Sequence, residues 1–135
     1  MVTITGEYQG ELHCASTHGP SGSVLATDAP RDNQGRGEAY SPTDLVATAL
    51  ATCIATTMAI VARPHGVDLK GLRYEATKEM STDAPRRIIR LTVHLTMPPA
   101  ARQAPAGLLE KAAHACPVQQ CLAPGIEKVL TFHWE

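Results

Sequence analysis

The chain has 135 residues, 44% hydrophobic and 4% aromatic, with 12 Lys plus Arg against 13 acidic residues and a net charge of -1. That length fits one domain, residues 1–135, large enough for a real core and too short for two independent ones. The near-neutral balance leaves no electrostatic footprint for nucleic acid or an anionic membrane surface, so neither is expected as a partner.

With one Phe, one Trp and three Tyr, the core must be built from Leu, Ile, Val, Ala and Met. The first residues, MVTITGEYQG, lack the basic and apolar regions of a signal peptide, so a cytoplasmic location is expected. There, Cys14, Cys53, Cys116 and Cys121 would be reduced, and cysteines more often mean metal binding, catalysis or packing than a disulfide framework.

Residues 2–8 alternate, with Val2, Ile4, Gly6 and Tyr8 against Thr3, Thr5 and Glu7, and lead through Gln9-Gly10 into residues 11–16, a predicted hairpin. A third short strand over 23–26 follows the turn residues Gly19-Pro20-Ser21-Gly22. Residues 27–40 read as loop, with Pro30, Asp32, Asn33, Gly35 and Gly37.

Ser41-Pro42-Thr43-Asp44 predicts a helix start: Ser41 can cap, Pro42 suits the first helical position, and Asp44 completes a carboxylate version of the capping box. The helix should run to about Arg63, where Pro64 and Gly66 stop it, and at roughly 33 Å it would be central. Residues 45–62 carry no charge and are long enough to cross a bilayer, but six are Ala and four Thr, so a helix buried in protein is expected. Ala51, Ala55 and Ala59 recur every four residues and predict a ridge against a second copy, hence a homodimer.

Residues 69–80 and 87–97 read as strands joined by a turn at Asp83-Ala84-Pro85. Residues 104–115 have helical spacing that Pro117 interrupts, residues 118–122 a further short turn, and residues 127–134 a final alternating strand. The order is α+β rather than alternating βαβ. The sequence carries no glycine-rich phosphate loop, zinc-finger spacing or Ser-centred hydrolase elbow.

Cys53 lies inside the apolar helix, with Ala49, Leu50, Thr56 and Thr57 as its helical neighbours. It is either a small core hydrophobe or a nucleophile whose thiolate is favoured by a charge from elsewhere. Cys116 sits where Pro117 breaks a helix, and a thiol at a break can swing toward an oxidised partner.

Ser41-Pro42-Thr43-Asp44-Leu45 followed by Cys53, then Cys116-Pro117-Val118 with Leu122 downstream, resembles the paired-cysteine pattern of OsmC/Ohr proteins. Gly66-Val67-Asp68-Leu69 and Gly71-Leu72 resemble that family's passage out of its central helix. The resemblance covers most of the chain. It implies antiparallel sheets packed on a long central helix in an intertwined homodimer, with Cys53 as peroxidatic and Cys116 as resolving cysteine at the interface. The implied activity is reduction of organic hydroperoxides or hydrogen peroxide, with no metal or organic cofactor and a lipoyl or thioredoxin-like dithiol as reductant.

The resemblance also implies an arginine beside the thiolate and a glutamate to hold it. Thr43 stands where that glutamate is expected, so Asp44 either substitutes or caps the helix, and the box spacing favours the cap. No Arg precedes Arg31, leaving Arg31 and Arg36, of which Arg36 is nearer the helix start. These departures place the chain in a divergent branch. Cys14 and Cys121 fall outside the motif, and the spacing of His114 and Cys121 matches no common zinc pattern. The alternative reading is a binding protein for a small apolar or electrophilic ligand.

Overall fold

The computed structural model describes residues 1–135. The chain forms two compact units, residues 1–46 and 47–135.

The first unit holds an antiparallel sheet in the order β1 (Ile4–Tyr8), β2 (His13–His18), β3 (Val24–Asp28). Register runs from Ile4 opposite His18 to Tyr8 opposite Cys14, which makes β1 and β2 the expected hairpin, although every residue of β1 is exposed. The reversal between β1 and β2 puts Gly10, Glu11 and Leu12 at positive φ. That cost for Glu11 and Leu12 is offset by hydrogen bonds: the Leu12 N–H donates to the Tyr8 hydroxyl, and the Leu12 carbonyl accepts from the Ala29 N–H.

Strand β3 extends two residues beyond the expected 23–26, and the segment read as plain loop is ordered. Asp28 ends the strand with its side chain 1% exposed, and a short 3-10 turn covers Arg31–Asn33. Gly35 folds back on Ala29 so closely that a Cβ there would meet the Ala29 carbonyl oxygen at 1.7 Å. Only glycine allows that approach.

Helix α1 (Pro42–Ala62) begins as the sequence predicts. The Ser41 hydroxyl accepts from the Asp44 N–H at 3.0 Å, and the Asp44 carboxylate accepts from the Ser41 N–H at 2.9 Å. A 3-10 turn over Arg63–His65 with left-handed Gly66 ends it, and the Gly66 N–H closes on the Arg63 carbonyl. Thr52 and Thr56 satisfy their hydroxyls against carbonyls one turn back.

In the second unit, α1 contributes a buried stripe of Ala47, Leu50, Ala51, Ile54, Met58 and Ala62. Each fully buried Leu, Ile or Met contributes about 1.5–3 kcal/mol. Ala51 is fully buried within the protomer, so it cannot belong to a docking ridge. Each four-residue step advances about 40° around a helix of 3.6 residues per turn, which carries the line from buried Ala51 to the half-buried flank at Ala55 and Ala59. Ile60, in contrast, is 67% exposed. By length and composition the span Pro42–His65 could cross a membrane; the core helix of a soluble protein passes the same test.

The second sheet has the order β4 (Arg73–Met80), β5 (Ile88–Met97), β6 (Glu127–Trp134). Strand β4 starts later than position 69, because the Leu72 N–H closes a turn on the Leu69 carbonyl and Gly71 takes positive φ. Strands β4 and β5 are antiparallel, while β6 runs parallel to β5 after the helical crossover, so this sheet is mixed. A bulge near Met80 turns Ile89 outward and Ile88 inward, interrupting the alternation read from the sequence. Leu91, Val93, Leu95 and Met97 are almost fully buried. Across the other face, Arg90 reaches Glu79 and Glu127, each at 2.7 Å, and ties the three strands together.

The helix expected over 104–115 is shorter. Residues 99–103 form a 3-10 turn, Pro105 and left-handed Gly107 interrupt the chain, and α2 occupies only Leu108–His114. Helix α3 (Pro117–Cys121) follows, with Cys116 extended between the two.

Candidate functional site

Cys53 stands one turn after Leu50 but off the buried stripe of α1, and is half-buried. Its sulfur lies 3.9 Å from the Thr57 hydroxyl, its neighbour one turn on. Cys116 reaches the same place from the other side. Pro117 has no N–H to continue α2 and suits the first position of α3, so the chain must open at residue 116, and that opening carries a side chain with no exposed surface.

The two sulfurs are in hydrogen-bonding contact and both cysteines are free thiols. Burial pushes the Cys116 thiol up from its ordinary value, and the neighbouring Cys53 adds to the rise, both by charge and by accepting the Cys116 proton. Weak N–H contacts from Gln119 and Val118 to the sulfur oppose it, short of a full side-chain cap. Burial and the neighbouring sulfur thus both favour the protonated form of Cys116.

The remaining sequence candidates lie in the first unit. Arg36 stands 3.9 Å from the buried Asp28 carboxylate, which also accepts from His13 Nδ1 at 2.5 Å and from the Glu38 N–H at 3.0 Å. The His13 hydrogen bond is the main reason that Asp28 is held below the usual carboxylate value, against burial, which raises it. Arg31 donates through Nε to the Arg36 carbonyl at 3.2 Å, bracing the loop. Asp44 makes the reciprocal cap described above. Cys14 lies in β2 opposite Tyr8 and Thr27, and Cys121 is exposed at the end of α3.

Asp28, His13 and Gln119 were not singled out in the sequence. An Asp ending a short strand reads as a turn residue, and a Gln after Cys-Pro-Val carries no motif; only the fold brings them to these positions.

A family model described as "OsmC-like protein" matches residues 35–130. Among solved structures, this chain is similar to an osmotic stress induced and detoxification response protein, provisionally so named, from Psychrobacter arcticus 273-4. The two are 39% identical over 98% of this chain and 96% of that one, with a TM-score of 0.87. An organic hydroperoxide resistance protein OsmC from Legionella pneumophila is 15% identical, covering 98% and 96% of the two chains with a TM-score of 0.76. The organic hydroperoxide resistance protein OhrB of Bacillus subtilis is 16% identical, covering 98% and 97% with a TM-score of 0.70; at these identities the likeness shows the fold alone. Comparison with curated proteins gave no match. A family match over well more than half of the chain, a relative at 39% identity across nearly its whole length, and the two-sheet, long-helix fold agree: the chain belongs to the OsmC-like protein family.

Proposed function

We propose that this protein is a cysteine-based peroxidase that reduces organic hydroperoxides, or hydrogen peroxide, in peroxide defence. The observation that carries this reading is the contact between the free Cys53 and Cys116 thiols, with Cys116 kept protonated beside its partner. The names of the Legionella and Bacillus relatives point the same way.

In the first step the Cys53 thiolate attacks the terminal oxygen of the hydroperoxide. An S–O bond forms, the O–O bond breaks, and the alkoxide leaves as alcohol after taking a proton, while Cys53 becomes a sulfenic acid. Cys116 sulfur then attacks Cys53 sulfur, and the hydroxyl leaves with the Cys116 proton as water, giving a disulfide. An external dithiol of lipoyl or thioredoxin-like chemistry is oxidised to its own disulfide and returns both thiols.

Arg36, with Arg31 behind it, is the proposed source of positive charge for the thiolate, and Asp44 serves the helix start. The working form is a cytoplasmic homodimer of a single OsmC-like domain, which would cover the side of α1 that carries Ile60. Peroxide consumption by the purified protein with a dithiol reductant tests the function. Wild type should turn over and Cys53→Ser should not; normal turnover in Cys53→Ser, or none in wild type, would move the reading to a ligand-binding protein.

A further inference from the structure

Gln119 occupies the first turn of α3, three residues after Cys116, and its backbone N–H lies against the Cys116 sulfur. That places its backbone beside the Cys116 thiol. Its side-chain carbonyl oxygen is buried and has no hydrogen-bond partner; no other buried side-chain nitrogen or oxygen is left so. The adjacent Gln120, by contrast, donates its amide to the His114 carbonyl. A buried acceptor without a donor carries an uncompensated loss of hydration, which a bound donor would offset.

We infer that the Gln119 carbonyl is a substrate-binding acceptor that receives the O–H of a hydroperoxide while Cys53 attacks the same terminal oxygen. The inference rests on the peroxidase reading and adds to it a determinant of substrate class. A hydroperoxide or hydrogen peroxide has an O–H to donate, and a dialkyl peroxide has none. An amide suits this place better than a carboxylate, because it accepts without putting a negative charge beside a thiolate.

Gln119→Met keeps the length of the side chain and removes the acceptor. Three measurements on this variant and wild type test the inference: the single-turnover rate of Cys53 oxidation by tert-butyl hydroperoxide, the rate of Cys53 exchange with an aromatic disulfide, and the melting temperature. Loss of one neutral hydrogen bond predicts hydroperoxide oxidation slowed about fivefold or more, with disulfide exchange unchanged because that reagent has no O–H. The melting temperature should hold or rise, because an unpaired buried acceptor has been replaced by an apolar group. Unchanged hydroperoxide oxidation would overturn the inference and leave the peroxidase reading intact. So would a fall in melting temperature with both reactions slowed, or failure to fold, either of which would give Gln119 a structural partner. Absence of Cys53 oxidation in wild type would overturn the peroxidase reading and this inference with it.

Discussion

The Cys116 thiol, fully buried at the break between α2 and α3, donates its S–H as a hydrogen bond to the sulfur of Cys53. Both burial and this contact raise its pKa, so in the folded protein it ionises at higher pH than in the unfolded chain. The stability it contributes is complete below the ordinary value of 9.0 and is lost as pH rises through the folded value. Melting curves from neutral to alkaline pH should therefore show a fall that is shallower in Cys116→Ala; equal slopes would mean that this thiol is not protected.

Asp28 has the opposite sign. Hydrogen bonds from His13 and Glu38 hold its carboxylate below the ordinary 3.8, so its contribution is present above that value and is lost as pH falls through the folded one. Asp28→Asn should lower the melting temperature at neutral pH and flatten the acid limb of the stability profile. An acid limb as steep as wild type would show that other carboxylates dominate.

Ser41 and Asp44 each complete one half of the same capping box. Ser41→Ala and Asp44→Ala should each cost about 1 kcal/mol in chemical denaturation. The double variant should lose less than the sum, since either change already opens the box. Full additivity would count against a shared cap.

Ile60, at 67% exposed, is the most open large apolar side chain of α1. The proposed homodimer predicts twice the chain mass by light scattering at micromolar concentration, and a shift toward monomer in Ile60→Lys. A wild-type monomer would remove the dimer from the account.

Local rules made much of this fold readable. Ser41, Pro42 and Asp44 fix the start of α1, Pro64 and Gly66 its end, and the residues of β6 were read to their bounds, because caps, breakers and period-two alternation act within a few positions. Longer-range determinants were not readable in this way. The parallel pairing of β6 with β5, the bulge that turns Ile89 outward and the burial of Ala51 depend on partners distant in sequence. Within the site, Cys53 and Cys116 were legible from Cys-Pro and from the family pattern, whereas the burial of Asp28 and the unpaired carbonyl of Gln119 follow from tertiary placement.

The central claim is that Cys53 and Cys116 form one redox pair, and the most direct test is a peptide map of the protein after one equivalent of an organic hydroperoxide. The account predicts a single Cys53–Cys116 disulfide in wild type, and in Cys116→Ser a sulfenic acid on Cys53 that a dimedone-type reagent traps. A disulfide through Cys14 or Cys121 instead, or four thiols left unreacted, would contradict it.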